Sequence, residues 1–577
     1  MAVDCKEKIL SNNFYDVITD YSIHMVQTDV TYDYCYVNIE NLYNVVYLNR
    51  SGVPNIEEYF FDYQTIPKLY GLMQEGRVAE GFDPGSLIAS GITQVQREPL
   101  NLTGRGVIVC VIDTGIDYTN PVFLDENGQS RILAIWDQTI QEGNPPKGFL
   151  FGTEYIREDI NRALRAEDPY SIVPSRDEIG HGSAMAGVAA GSVLINGSAG
   201  SAYIGAAPNA DILVVKLKEA KQYLRDFYLV PQEAHAYQEN DIMLAVKYAD
   251  SFVELFRRPM VICLGLGTSF GDHAGNSALA RYLRWVGVKR SRAVVVCGGN
   301  EGNAAHHYHG VLENPTALSG GSVNVEIRVA EDVRGFFLEL WGNVPDVFNV
   351  TVRSPGGETI PPNRLGLRQS ITYGFVYERT RITIDSVLVE PSSGEELILF
   401  RVQDPTPGIW NFRVESVGEV HNGEFHMWLP ITTFMNAQVY FLESNPYTTL
   451  TEPAMATDII SVSAYNAANN SFYAESGRGF SRLGAIRPDF AAPGVNISTI
   501  YGKQTGSSFA AAITAGAVAQ FMQWAIVEGN NRLVESREIK NYLIRGASRS
   551  SDLSYPNREW GYGRLNMVGT FDALIGV

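Results

Sequence analysis

The sequence has no basic run, no internal repeat and no low-complexity tract. Its 577 residues include 64 acidic and 45 basic side chains, which gives a formal net charge of −19 and a pI of about 5.0. Nucleic acids and anionic membranes attract basic protein faces, so this balance argues against both as partners. The hydrophobic fraction of 45% is ordinary for a globular protein and is sufficient for several domains at this length.

Cysteines are few, and their number is odd. The five are scattered over the chain, and three of them lie on predicted core strands: Cys5, Cys35, Cys110, Cys263 and Cys297. At least one thiol must remain unpaired. We therefore expect reduced thiols in a reducing compartment, and nothing supports a catalytic cysteine.

The N-terminus has no basic segment followed by an apolar one, which predicts the absence of a signal peptide and a cytoplasmic location. The longest apolar stretch is residues 509–527. It is rich in alanine and contains Thr514, Gln520 and Gln523. These features predict a buried core helix rather than a membrane span.

The segment TGSSFAAAITAGAVAQ, residues 505–520, places a serine at the start of an apolar helix. Free N–H groups and the positive end of the helix dipole at that position suit a nucleophile whose reaction passes through an oxyanion. The alternative is an ordinary N-cap serine. Ser508 is the candidate nucleophile, and the choice between the two roles depends on whether it has partners.

Three candidate partners precede it along the chain. Asp113 ends the β-branched run Val107–Ile112, which predicts a buried parallel strand with its functional group at the carboxyl end. His181 begins a helical run of small residues, and Asn300 follows another β-branched run and two glycines. A turn aspartate and a structural histidine are the alternatives for the first two. The Asn300 amide could donate a hydrogen bond to a developing oxyanion.

The order aspartate, histidine, asparagine, serine, with the motifs VIDTG, GHGSAMAG, GGNEG and GSSFA, resembles the subtilisin-like serine proteases. GAAPNADILVVKL and RPDFAAPGVNI are also similar to segments of that family. The resemblance covers residues 100–310 and 450–570. The sequence differs from the usual family motifs at Ser507, Phe509 and Ala512-Ile513, and at Ser183-Ala184 after the histidine. Residues at these positions pack against or orient their neighbours and do not transfer protons.

The resemblance implies a catalytic mechanism. Ser508 attacks a peptide carbonyl, His181 shuttles the proton, and Asp113 orients the imidazole. Asn300 and the Ser508 N–H bind the oxyanion. Leu264, Gly265 and Gly267, in CLGLG, match the segment that lines the primary specificity pocket. Glu301 is a further candidate for that pocket, with a solvated loop acid as the alternative.

Two further regions flank or interrupt the protease segments. Residues 1–75 are predicted to form a small α+β unit that resembles the family's prodomain, and an accessory domain is the alternative. Residues 66–74 would be its extended tail in the active-site cleft, and residues 75–85 would be a linker. Residues 318–445 alternate over seven or eight short strands, which predicts an inserted jelly roll. The fold class expected is therefore α/β, with a parallel-sheet protease domain in two parts, 76–317 and 446–577.

This layout resembles the Csp germination proteases of spore-forming anaerobic bacteria. The resemblance implies a peptidase that processes its own prodomain, acts on a protein precursor such as a spore-cortex hydrolase zymogen, and is cytoplasmic or spore-associated. Because some members of that group are pseudoproteases, an idle fold acting as a signal receptor or scaffold is the alternative. The intact Asp113, His181 and Ser508 favour the active enzyme.

No cofactor and no metal site are expected. His306, His307 and His309 in NAAHHYHG could bind zinc or nickel, but they lack nearby cysteines. A loop packed near the cleft is the preferred interpretation of this stretch. No EF-hand-like acidic loop indicates calcium.

Overall fold

The computed structural model describes residues 2–20, 33–52, 63–73, 75–79, 83–195, 202–312, 321–362 and 368–575. Residues 80–82 of the predicted linker lie outside this described part. The N-terminal elements are α1 (Ala2–Leu10), β1 (Phe14–Asp20), β2 (Tyr34–Ile39), β3 (Tyr43–Asn49), β4 (Leu69–Leu72) and β5 (Glu75–Ala79). Strands β1, β3 and β2 form an antiparallel sheet in that order, and α1 packs against it.

One cysteine expectation was wrong. Cys5 on α1 and Cys35 on β2 form a disulfide, with their Cα atoms 5.7 Å apart, because the helix packs across that strand. Sequence spacing could not give this pairing, since it arises from tertiary packing. Cys110, Cys263 and Cys297 are free and buried.

The next region contains a parallel sheet and its helices. Its strands are β6 (Ile108–Asp113), β7 (Ile132–Asp137), β8 (Thr153–Ile156), β9 (Leu194–Ile195), β10 (Ala202–Tyr203), β11 (Asp211–Lys216), β12 (Tyr237–Gln238), β13 (Met260–Leu264), β14 (Leu266–Gly267) and β15 (Arg292–Cys297). Its helices are α2 (Gly85–Ala89), α3 (Ile92–Val95), α4 (Arg157–Ala163), α5 (His181–Ala190), α6 (Gln222–Tyr228), α7 (Glu239–Phe256) and α8 (Ala278–Gly287).

A second all-β region follows. Its strands are β16 (His307–Val311), β17 (Ser322–Val329), β18 (Gly335–Gly342), β19 (Phe348–Arg353), β20 (Thr359–Ile360), β21 (Arg368–Gly374), β22 (Arg381–Val387), β23 (Glu396–Gln403), β24 (Gly408–Ser416), β25 (Glu424–Trp428) and β26 (Val439–Phe441). The chain then forms β27 (Ile460–Asn466), β28 (Ser471–Phe472), β29 (Phe490–Pro493), β30 (Ile497–Thr499), β31 (Gly502–Thr505), α9 (Ser507–Met522), α10 (Ser536–Gly546) and α11 (Met567–Ile575).

The main sheet has the order β28-β27-β15-β13-β6-β11-β7-β8, with β29 also paired to β27. Its centre is parallel, and β6 lies between β13 and β11. Every residue of β6 is buried, as the continuous apolar run predicts. The carboxyl end of β6 therefore lies in the middle of the sheet, where a functional group is held rigidly.

Helix α9 lies in the core against β13, β15 and β27 and also contacts α5. All its residues are buried. With the turn of π-helix that continues it, the segment Ser507–Val527 is long and apolar enough to cross a membrane, yet 83% of its apolar window is buried inside the protein. That burial is typical of a core helix, as the sequence predicts.

The all-β region is a sandwich of two antiparallel sheets, β16-β25-β18-β23-β22-β21 and β20-β19-β24-β17-β26, which share one hydrophobic core. The described part of residues 318–445 contains the ten strands β17 to β26 rather than the seven or eight expected, because the strands β20, β21 and β26 are added. Strand β16 belongs to the first sheet although it precedes residue 318. The outer face of that sheet presents Phe337, Trp341, Leu399 and Trp428 to the core shared with the parallel-sheet region. The sandwich is thereby packed firmly against the rest of the protein.

Candidate active site

Asp113, His181 and Ser508 form one hydrogen-bonded chain. The Nδ1 atom of His181 lies 2.7 Å from Asp113 Oδ1, and its Nε2 atom lies 3.0 Å from Ser508 Oγ. All three residues are at most 1% exposed. An imidazole held between a carboxylate and a hydroxyl in this order can accept the hydroxyl proton while the carboxylate fixes its tautomer.

Three elements place these side chains. Asp113 is the last residue of β6, His181 the first of α5, and Ser508 the second of α9. A Cβ at Gly182 would lie 2.3 Å from the Gly115 carbonyl oxygen, so only glycine lets α5 approach β6 this closely.

The start of α5 is further fixed by Asp177. One of its carboxylate oxygens accepts from the Thr114 hydroxyl, and the other accepts from the Ser183 backbone N–H and hydroxyl. Ser183, which departs from the usual family pattern, therefore helps to hold the helix that carries His181. Phe509, another departure, is fully buried and packs edge-to-face on the His181 ring at 5.8 Å between centroids.

Asn300 lies beside the nucleophile. Its Oδ1 atom accepts a hydrogen bond of 3.0 Å from the Ser507 backbone N–H. This bond fixes which end of the amide faces the helix and leaves the Nδ2 group as a donor. The Ser508 N–H is the second donor at this position, and it points to a carbonyl oxygen from the N-terminal region.

That carbonyl belongs to Met73. Its oxygen accepts from the Ser508 N–H at 3.3 Å, while the Met73 N–H donates to the Gly265 carbonyl at 3.2 Å. Strand β4, which immediately precedes Met73, is the middle strand of the sheet β12-β4-β14 and is antiparallel to both neighbours. The segment 69–73 thus occupies the cleft as a peptide substrate would, with the Met73 carbonyl beside the candidate nucleophile.

The space around Gly71 in this segment is small. A Cβ at Gly71 would lie 2.6 Å from Ile431 Cδ1 and 2.9 Å from Thr433 Oγ1. Both contacts come from the segment just after β25 of the sandwich, which covers the strand in the cleft. A side chain at Gly71, the third residue before the proposed cut when Met73 is counted as the first, would therefore force these neighbouring side chains to move.

The predicted pocket residues divide into two groups. Gly265 and Gly267 border the cleft: Gly265 bonds Met73, and a Cβ at Gly267 would contact Met73 Cε at 3.4 Å and Thr451 at 2.3 Å. The Leu264 side chain instead packs in the hydrophobic core. Glu301 accepts from the Thr432 N–H and hydroxyl and contacts His306 Nδ1 at 2.8 Å, so its carboxylate ties the loop after Asn300 to the sandwich.

The histidines of NAAHHYHG do not converge. His306 contacts Glu301, His307 contacts the Asn445 carbonyl and His426, and His309 contacts Glu424. The packed stretch near the cleft that we expected is present, but Glu424 and His426 were missed, since they lie more than 100 positions further along the chain. Sequence reasoning also missed β12, whose two residues carry no periodic signal.

The N-terminal region contacts the rest of the protein through two buried carboxylates outside the cleft. Asp16 pairs with Lys221 at 2.5 Å and also accepts from Gln238 and Asn240. Glu339 of the sandwich accepts from the Tyr63 hydroxyl, from Trp341 Nε1 at 2.9 Å and from the Gly271 N–H at 3.1 Å. Burial raises the pKa of Glu339 to about 7.

Comparison with known proteins identifies the family of the chain. The model of the subtilase family matches residues 104–331 and 422–563. No curated protein matches the sequence. Among solved structures, the CspB protease of Clostridium perfringens is 31% identical, with 86% of this chain and 100% of that chain covered and a TM-score of 0.75. The epidermin leader peptide processing protease of Staphylococcus aureus is 12% identical, with 97% of this chain and 99% of that chain covered and a TM-score of 0.42.

Proposed function

The chain belongs to the subtilase family and is a subtilisin-like serine peptidase, and from this premise we propose that it is an endopeptidase that cuts its own chain after Met73. The observation that carries the proposal is the Met73 carbonyl, which lies 3.3 Å from the Ser508 N–H in an extended segment paired on both edges. Residues 1–73 are then a prodomain, and the sandwich is the inserted jelly roll.

The proposed reaction uses the residues of the hydrogen-bonded chain. Ser508 Oγ attacks the Met73 carbonyl carbon while His181 Nε2 takes the hydroxyl proton, and Asp113 stabilises the imidazolium. The oxyanion is bound by the Ser508 N–H and the Asn300 Nδ2 group. His181 then protonates the leaving amine of Gln74, and water releases the acyl group by the same steps.

We expect fragment 1–73 to remain bound to the rest of the protein after the cut. The pairing of β4 with β12 and β14 does not involve the bond that is cut. The Asp16–Lys221 pair and the Tyr63–Glu339 hydrogen bond also lie away from it. A protein substrate must displace this strand. Because the chain resembles the Csp germination proteases, we propose the precursor of a spore-cortex hydrolase as that substrate, in a cytoplasmic or spore-associated setting.

Intact masses of the wild type and of Ser508→Ala test the proposal, with the exposed Ser551→Ala as the matched control. We expect fragments 1–73 and 74–577 from the wild type and the control, and one uncut chain from Ser508→Ala. A cut in Ser508→Ala would assign the cleavage to another protease. A wild type that stays whole, and that a fluorophosphonate probe does not label at Ser508 even after the N-terminal region is removed, would favour the idle receptor or scaffold instead.

A further inference from the structure

Three side chains at the edge of the sandwich bring possible metal-ligand atoms close together. They are His309 on β16 and Glu424 and His426 on β25, and one ligand atom from each lies within 4.8 Å of the other two. Strands β16 and β25 are antiparallel, with His309 opposite His426. Residues two apart on a strand share a face, so Glu424 and His426 project on the same side as His309.

The hydrogen bonds around His426 leave its Nε2 atom unprotonated, with a free lone pair. The Asn445 carbonyl can only accept, so His307 Nδ1, 3.1 Å away, carries its proton. In neutral His307 the Nε2 atom is then an acceptor, and His426 Nδ1, 2.9 Å away, must donate to it. The remaining nitrogen, His426 Nε2, has no hydrogen-bond partner among the described residues, although the side chain is only 5% exposed.

A carboxylate oxygen, which is also an acceptor, lies close to this nitrogen. Glu424 Oε1 lies 3.6 Å from His426 Nε2 and 2.9 Å from His309 Nε2. Asn343 donates to the other Glu424 oxygen at 2.8 Å and so orients the carboxylate, as outer partners of metal ligands do. Two acceptors buried this close together are unfavourable unless a cation lies between them.

We propose that His309, Glu424 and His426 bind one divalent transition metal ion, of which Zn²⁺ is the best match. Two imidazoles and one carboxylate suit zinc, cobalt or nickel, whereas calcium and magnesium prefer oxygen ligands. His309 and Glu424 are about one-third exposed, which gives the ion access and leaves a position for water. The ion joins edge strand β16, which follows the loop of Asn300, to β25.

The test is zinc binding by the untagged, full-length protein after removal of metal, measured by calorimetry and by elemental analysis. We expect one Zn²⁺ per chain for the wild type and at least a tenfold weaker affinity for His309→Gln and Glu424→Gln. His421→Gln, which removes an exposed imidazole just before β25, should bind like the wild type. Co²⁺ should give visible absorption bands of a four-coordinate site only in chains that keep the three ligands.

Thermal unfolding separates metal binding from damage to the fold. Without metal, His309→Gln should melt at the same temperature as the wild type, because His309 is partly exposed at a sheet edge. With Zn²⁺, the wild type and His421→Gln should melt at a higher temperature and His309→Gln should not. Wild type that takes up no zinc, or ligand variants that bind it as tightly as the wild type, would overturn the proposal.

Discussion

The hydroxyl of Tyr63 donates a hydrogen bond to the buried carboxylate of Glu339, which joins the N-terminal region to the sandwich. The same carboxylate accepts from Gly271, in the segment that follows β14. Three parts of the chain therefore meet at one acidic group. Since burial raises its pKa to about 7, the charge on this group changes near neutral pH.

This carboxylate should make stability depend on pH. Its pKa is about 7 in the folded protein against an ordinary 4.5, so the folded state holds the proton more tightly. The stabilisation is complete below pH 4.5 and is lost as the pH rises through 7. In Glu339→Gln, which mimics the protonated acid, we expect the melting temperature to fall less than that of the wild type between pH 5 and pH 8. Equal falls, with the exposed Glu419→Gln as control, would contradict this.

Gly71→Ala should slow self-cleavage. The added methyl group would lie 2.6 Å from Ile431 Cδ1, and overpacking of this kind costs about 1–3 kcal/mol. This cost corresponds to a decrease of about 5- to 150-fold in occupancy of the cleft. Ile431→Ala in the same chain should restore the rate, which is measured by the appearance of fragment 74–577 during cell-free synthesis. Failure of the double variant to recover would point to a different obstacle.

Asn300→Asp should slow the same reaction by about 10²–10³, the effect of losing such an asparagine in another subtilisin-type enzyme. Aspartate keeps an oxygen that accepts from the Ser507 N–H, but it replaces the Nδ2 donor by a second oxygen and adds a negative charge beside the oxyanion, so this decrease is a lower bound. The start of α9 should therefore be retained, which the melting temperature checks. A self-cleavage rate within threefold of the wild type would remove Asn300 from the oxyanion site.

Lys221→Met should release the N-terminal region after the cut. It leaves Asp16 without its cation in a buried interface, a change that costs about 3–5 kcal/mol. Replacing Asp16 by Asn in the same chain removes the uncompensated charge and should restore much of the binding. Native mass spectrometry of the processed protein measures the fraction that retains fragment 1–73. The same retention in all variants would show that the Asp16–Lys221 pair does not hold the fragment.

Much of the fold could be predicted because its signals are local. The continuous run before Asp113 indicates a buried parallel strand, and the alternation in 322–329 indicates a strand of a sandwich. The positions of Asp113, His181 and Ser508 at strand and helix ends also follow from local patterns. The chain order of the motifs then identified the family.

The missed features depend on distant contacts. Cys5 and Cys35 pair because a helix crosses a strand, and spacing alone cannot give that pairing. His309 and Glu424 are 115 positions apart and meet only through strand pairing. Glu301 follows Asn300 directly, and we expected its carboxylate in the specificity pocket. The carboxylate instead accepts a hydrogen bond from Thr432, which lies just after β25 of the sandwich.

The position of β4 between β12 and β14 has a kinetic consequence. Cutting the bond after Met73 changes the connectivity of the chain but breaks none of the hydrogen bonds along either edge of this strand. We therefore expect cleavage and the onset of activity to be separate events. A polypeptide substrate must replace β4 by forming its own hydrogen bonds to β12 and β14 as those of β4 break. The rate at which β4 dissociates from β12 and β14 would then set the delay between folding of the protein and cleavage of its first substrate.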